Sequence, residues 1–127
     1  MNLQMAKVVD LQSLHEKIRT QKLSIKVAYK ISKLFAAVEK EVDFYREKLQ
    51  EIIDKYGEKD ENGNPVPADN GFGIKVQKDK IEECQKDLNE LFALDVELPD
   101  IKFTLDELDP FELTVDDFTM LLPFIEE

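Results

Sequence analysis

The sequence has no tryptophan, one cysteine, one histidine and four glycines among its 127 residues. The single cysteine, Cys84, excludes an internal disulfide, and the chain has too few Cys and His residues for a zinc finger or a zinc ribbon. No apolar run approaches the roughly 18–20 residues that a membrane-spanning helix needs. The first ten residues lack the apolar stretch and the cleavage site of a signal peptide. We therefore expect a cytoplasmic protein that does not enter a membrane.

The composition, with 43% hydrophobic and 35% charged residues, is that of a folded protein, and the length favours a single domain over residues 1–127. The net charge of −11 is unevenly distributed along the chain. Residues 1–56 are net +3, whereas residues 95–127 carry one basic group, Lys102, against 11 acidic ones. Because an acidic protein repels phosphate at long range, this balance argues against general nucleic-acid binding.

The strongest pattern is a long helix over residues 24–56. Its apolar residues recur at alternating steps of 3 and 4, the period of a coiled coil, at Ala28, Ile31, Phe35, Val38, Val42, Tyr45, Leu49, Ile52 and Tyr56. Ser24 is placed as its N-cap and Gly57 as its C-cap. Further apolar residues at Ile25, Val27 and Leu34 widen the stripe in the first half, which predicts cover on more than one side there.

Shorter elements flank this helix. Helical spacing predicts a first helix over about 7–19 and a return helix over about 78–94. Between them, Asn62-Gly63 and Asp69-Asn70-Gly71 are turn signals, and Ile74 and Val76 are expected to pair with residues 65–66 as a β-ribbon. The predicted fold is mainly α: a long antiparallel helical hairpin with a small β-ribbon at its tip, a short N-terminal helix and an extended acidic C-terminal segment packing back.

The C-terminal segment combines acidic and apolar residues. Alternation over 96–105 and 111–115 predicts short extended stretches, and a last helix is predicted over about 115–122. Thr104 and Thr114 each precede an acidic residue by three positions, a helix-start signal. The return helix is too short to cover the whole long helix. The N-terminal helix, the C-terminal segment or a second copy of the chain must therefore cover residues 28–38.

No residue pattern predicts catalysis or cofactor binding. His15 has no nucleophile or carboxylate at a meaningful spacing, so a boundary histidine is favoured over a general base. Cys84 lies on the apolar stripe of the return helix, where a thiol behaves as a small hydrophobic group. The run beginning at Asp60 resembles a calcium loop, but proline stands where glycine is required and Gly71 where glutamate is required. We expect no enzyme activity, no cofactor and no metal site.

Two charged features suggest partner binding. The first is a basic stripe on the long helix, formed by Lys22, Lys26, Lys30 and Lys33. It is a nucleic-acid contact, a solvated helix face, or the docking site of the acidic segment within the chain or across a subunit boundary. The second is the acidic segment, which is either a soluble acidic surface around buried aromatic residues or an imitation of a phosphate backbone. The predicted partner-binding residues are Lys26, Lys30, Lys33, Asp116, Asp117 and Phe118.

Three stretches, residues 23–33, 56–64 and 112–118, resemble a family of small uncharacterised proteins from phages and prophages of Gram-positive bacteria. The resemblance implies a phage-encoded protein expressed in a bacterial cytoplasm, and it carries no catalytic residue. We therefore expect a non-enzymatic interaction protein that acts in assembly or as an accessory factor through a helical surface, with homo-oligomerisation open. The alternative is an acidic inhibitor of a host nuclease or another host defence protein.

Overall fold

The computed structural model describes residues 1–68 and 73–126, and the predicted turn at 69–71 lies outside them. The chain is mainly α-helical. Its contacts divide it into two compact units: unit 1 comprises Met1–Val42 and Asp95–Glu127, and unit 2 comprises Asp43–Leu94. The prediction of a single domain stays a prediction.

The long helix is present almost as predicted. Helix α2 runs without interruption over Ile25–Tyr56, and the Ser24 hydroxyl accepts a hydrogen bond from the Val27 N–H at 3.4 Å. Every residue of the predicted apolar stripe is buried or half-buried. The interpretation of Ile25 as part of that stripe is wrong, because its side chain is 90% exposed at the first helical position.

Unit 1 begins with a short strand that the sequence analysis missed. Strand β1 (Asn2–Gln4) pairs antiparallel with β2 (Asp95–Glu97), and helix α1 (Met5–Ile18) follows β1 directly. Helix α1 buries one apolar residue per turn, at Met5, Val8, Leu11, Leu14 and Ile18. The helix starts two residues before the predicted boundary, which is within the ordinary uncertainty of helix ends.

The remainder of unit 1 contains short helical segments. Helix α4 (Leu105–Leu108) and helix α5 (Val115–Leu121) are short, and a 3₁₀ helix, Leu122–Phe124, follows α5. Phe103 forms a parallel bridge with Ile125, and both Phe103 and Phe124 are fully buried. Of the predicted extended stretches, only β2 forms a strand. Residues 111–115 form none, and Val115 is 83% exposed.

Unit 2 contains the second half of α2, helix α3 (Ile81–Phe92) and three short extended segments between them. The predicted return helix is shorter than expected, since Lys78–Lys80 form a 3₁₀ helix. Backbone hydrogen bonds connect each segment to the other two. The Glu58 N–H donates to the Lys75 carbonyl, the Lys75 N–H to the Val66 carbonyl, and the Val66 N–H to the Glu58 carbonyl. The ribbon therefore includes a segment after Gly57 that the sequence analysis left unpaired.

Gly57 ends α2 for a reason other than the predicted one. Its N–H donates to the Ile53 carbonyl at 2.8 Å. Among the described glycines, Gly63 and Gly73 have a positive φ and Gly57 does not, so Gly57 lacks the left-handed conformation of a glycine C-cap. A Cβ at residue 57 would lie 2.7 Å from the Ile53 oxygen and 2.7 Å from Cδ1 of Ile74. Close approach, not a left-handed conformation, requires glycine here.

Candidate functional site

The first candidate feature is the basic stripe on α2. The Lys30 ammonium donates to both carboxylate oxygens of Glu107, at 2.9 and 3.1 Å, and to the Lys102 carbonyl at 2.8 Å. Lys26 and Lys33 are exposed and form no ion pair with any part of the chain that the structure describes. Of the three predicted lysines, Lys30 is therefore the one that forms an ion pair with the described part of the acidic segment.

Glu107 also caps its own helix. Its carboxylate accepts from the Thr104 N–H at 2.9 Å, and the Thr104 hydroxyl accepts from the Glu107 N–H at 3.2 Å. This reciprocal pair is a capping box, which satisfies two backbone donors at the start of α4. The backbone N–H of Thr104, followed by the Lys30 ammonium, lowers the pKa of the Glu107 carboxyl below its ordinary value.

Asp117 repeats this arrangement at the start of α5. Its carboxylate accepts from the Thr114 N–H at 3.1 Å and from the Lys17 ammonium at 2.8 Å. The Lys17 ammonium, followed by the Thr114 N–H, lowers the pKa of this nearly buried carboxyl. The sequence analysis identified both helix starts and missed Lys17, because nothing in a local pattern links a residue of α1 to one of α5.

The other predicted residues of this segment differ in exposure. Asp116 is exposed and Phe118 is half-buried. The described acidic residues of the segment that are not capping residues are all exposed, namely Asp95, Glu97, Asp100, Asp106, Asp109, Glu112, Asp116 and Glu126. The segment therefore turns Glu107 and Asp117 inward to lysines and presents its remaining described carboxylates to solvent.

His15 and Cys84 lie in environments that favour structural roles. The His15 ring stacks on Phe35 with centroids 4.6 Å apart, and its buried Nδ1 has no hydrogen-bond partner among the described residues. Cys84 is buried, and that burial raises the pKa of its thiol. A thiol with a raised pKa is a poor nucleophile near neutral pH.

The loop that resembles a calcium site is a set of turns. Asp60 Oδ1 accepts from the N–H groups of Asn62 and Asn64, at 2.9 and 3.0 Å, and Gly63 adopts a positive φ of 80°. Aspartate commonly makes such bonds to the backbone two residues on. Within residues 1–68 and 73–126, no cluster of three or more His, Cys, Asp or Glu residues is arranged to hold a metal ion.

Unit 2 presents an apolar cleft between α2 and α3. The cleft has a volume of about 270 Å³, and its apolar lining comes from Phe44, Ile52, Leu91 and Leu94. Phe44 and Leu94 are exposed. The charged lining consists of three carboxylates, from Glu51, Asp87 and Glu90, and one ammonium, from Lys48. The Glu51 carboxylate pairs with the Lys48 ammonium at 3.2 Å, and the Asp87 carboxylate lies 3.9 Å from the Lys55 ammonium.

Comparison of the chain with protein-family models, with curated proteins and with solved structures finds no match in any of the three. No described helix combines the length and the apolar character that crossing a bilayer demands.

Proposed function

We propose that this chain is a non-enzymatic, phage-encoded interaction protein that binds a helix of a partner protein in the host cytoplasm, in assembly or as an accessory factor. The cleft of unit 2 is the observation that carries the proposal. The family resemblance of residues 23–33, 56–64 and 112–118 supports the phage origin. The environments of His15 and Cys84 support a role without catalysis.

Unit 2 leaves several large apolar side chains in solvent. Among its described residues, the buried hydrophobic side chains are Tyr56, Cys84 and Leu91, whereas Phe44, Ile81, Phe92 and Leu94 are exposed. Two helices cannot enclose a core by themselves, since each must bury an apolar stripe against further elements. Exposed apolar surface rimmed by polar residues is typical of protein-interaction sites.

The expected partner element is an amphipathic helix with basic flanks. A groove between two helices accepts a third helix through side chains spaced at i, i+3, i+4 and i+7. Of the three carboxylates around the cleft, Glu90 forms no ion pair with the described residues, whereas Glu51 meets Lys48 and Asp87 lies near Lys55. The Glu90 carboxylate favours a Lys or Arg beside the apolar stripe of the partner.

The finer architecture belongs to the same proposal. We take the second half of α2 and α3 to be an antiparallel hairpin, because Tyr45 contacts Phe92 and the Tyr56 hydroxyl donates to Asp87 at 2.6 Å. We take the acidic C-terminal segment to pack back on α1 and the first half of α2. The ion pairs of Lys17 and Lys30 support this arrangement.

Selection from a library of helical peptides, displayed against the full chain, tests the proposal. We expect the enriched peptides to carry an apolar stripe with basic flanks. Their binding should be lost in Phe44→Glu and in Leu94→Glu. Val115→Glu is the matched control, because it introduces the same charge at an exposed apolar residue of unit 1. Peptides that bind the Phe44→Glu and Leu94→Glu variants as tightly as the native chain would contradict the cleft as the site.

The alternative, an acidic inhibitor of a host nuclease or another defence protein, rests on the eight exposed carboxylates of the C-terminal segment. Affinity capture from infected cells separates the two functions when it is repeated with two variants. Neutralising Asp109, Glu112 and Asp116 to the corresponding amides should release an inhibited nuclease and leave a helix-bound partner in place. Leu94→Glu should have the opposite effect.

A further inference from the structure

The N-terminal end of α2 presents apolar and basic side chains together. Ile25 is 90% exposed and Tyr29 is 68% exposed, and both lie four residues apart on one face of the helix. Lys26 and Lys33 flank them and are also exposed. We call these four residues the α2 strip. A rigid aromatic side chain between lysines is suited to contact an acidic surface that also offers apolar groups.

An exposed surface of that acidic and apolar kind exists in the same unit. In α4, Leu105 is 59% exposed at the first helical position, and Asp106 and Asp109 are exposed beside it. We call these three residues the α4 edge. Asp106 forms no ion pair with the described residues, in contrast to its neighbour Glu107.

The α2 strip and the α4 edge lie next to each other. Lys30 is one turn from both Lys26 and Lys33, and its ammonium binds the Glu107 carboxylate of α4. A cleft of about 350 Å³ at this position is lined by the residues before and within the first turn of α2 and by Asp106, Glu107 and Pro110. The α2 strip and the α4 edge therefore adjoin the two partners of one ion pair, and we treat them as the basic apolar half and the acidic apolar half of one patch of unit 1.

We infer that two copies of the chain associate through this patch, with the α2 strip of each copy against the α4 edge of the other. A two-fold interface must be complementary to itself, because the same surface of each copy meets the other. Opposite charges in adjacent halves of one patch satisfy that condition. An unrelated acidic partner would be matched by the α2 strip alone and repelled by the α4 edge.

The interface has predictable strength and salt dependence. Seven side chains on each copy are fewer than the roughly 20–30 of a standard interface, so we expect a weak, transient association. Ion pairs at an exposed rim are screened by salt. The dimer should therefore depend on protein concentration and weaken in high salt.

Reversal of charge tests the inference on the full chain. One variant carries Lys26→Glu with Lys33→Glu, and a second carries Asp106→Lys with Asp109→Lys. Each alone should lose about tenfold or more in self-association, measured by sedimentation velocity, because both halves of its patch then carry one sign. An equimolar mixture of the two should form a mixed dimer, because opposite charges face each other again.

The control is Lys59→Glu with Lys78→Glu. It changes the net charge by the same amount as Lys26→Glu with Lys33→Glu, but at exposed residues of unit 2. This variant should dimerise like the native chain. Circular dichroism checks that each variant is folded. If the double variants misfold, the single exposed substitution Tyr29→Glu replaces them in the test, and it should weaken the dimer. A native chain that is monomeric at every concentration, or a mixture that fails to associate, would overturn the inference. The proposed function is tested separately, because Phe44→Glu should leave this dimer unchanged.

Discussion

The Lys17 ammonium lies 2.8 Å from Oδ2 of Asp117, a residue one hundred positions later in the chain. The same carboxylate caps α5, so one side chain both starts a helix and holds that helix to α1. Lys30 and Glu107 repeat the relationship between α2 and α4. The net charge of −10 in residues 95–127 is thus compatible with close packing, because the two carboxylates that turn inward each meet a lysine.

The Lys30–Glu107 pair should be worth measurable stability. Both side chains are largely buried, at 25% and 14% exposure, so solvent screens their attraction less than at the surface. We expect Lys30→Met to lower the free energy of unfolding by about 1–2 kcal/mol. In a double-mutant cycle with Glu107→Gln, urea denaturation should give a coupling of about 1 kcal/mol. Lys33→Met, an exposed control, should change stability by less than about 0.5 kcal/mol. Equal losses of stability in Lys30→Met and Lys33→Met would contradict a specific contribution of the Lys30–Glu107 pair.

Stability should fall in acid because of Asp117 and Glu107. Folding lowers the pKa of both carboxyl groups, so the folded state favours their charged forms. Their contribution is complete above the unfolded-state pKa of about 4, and it is lost as the pH falls through the lower folded-state values. Urea midpoints measured from pH 7 to pH 3 should decrease in the native chain and decrease less in Asp117→Asn. Asp116→Asn should follow the native profile, and a flat profile in the native chain would contradict the expectation.

Gly57 should not tolerate a larger residue. In Gly57→Ala the new methyl group would overlap the Ile53 carbonyl and Cδ1 of Ile74, both at 2.7 Å. We expect a loss of about 1–3 kcal/mol in thermal or urea unfolding. Adding Ile74→Val removes the side-chain clash and should restore only part of the loss, because the clash with the backbone oxygen remains. A neutral Gly57→Ala would show that the end of α2 can shift.

His15 should be replaceable by a residue without polar atoms. Its ring stacks on Phe35, but the buried Nδ1 has no partner in the part of the chain described. His15→Phe keeps an aromatic ring and removes the unpaired nitrogen, so it should raise the free energy of unfolding by about 1 kcal/mol. His15→Ala removes the ring contact and should lower it by a similar amount. A destabilised His15→Phe would indicate that the nitrogen has a role.

Much of the local structure could be predicted from the sequence. The alternating 3 and 4 spacing placed α2 within a residue of its observed ends, and the Thr104 and Thr114 signals marked two real helix starts. These features succeed because both their cause and their effect lie within a few consecutive residues. Strand β1 was missed because a three-residue strand has no periodicity to detect. Ile25 was misassigned because a helical period cannot tell the first exposed position from a buried one.

The candidate surfaces were harder to predict. Docking of the acidic segment on the lysine stripe was one of three hypotheses from the sequence. Among the described residues, Lys30 of that stripe forms an ion pair with the segment, and Lys17 of α1 forms the other. Residues 28–38 of α2 were expected to be covered by an element other than the return helix, and the side chains of Ile31, Phe35 and Val38 are buried there. Side-chain exposure depends on which elements pack together, and the residue pattern of a single helix does not predict which elements those are.

The sequence by itself determined the long helix, the capped starts of α4 and α5, the turns around Asn62 and the uneven charge, because each follows from neighbouring residues. Only the tertiary structure decided which lysines meet Glu107 and Asp117, which apolar side chains stay in solvent and why residue 57 must be glycine. Those outcomes depend on distances between residues far apart in the chain, which packing fixes and local preference does not.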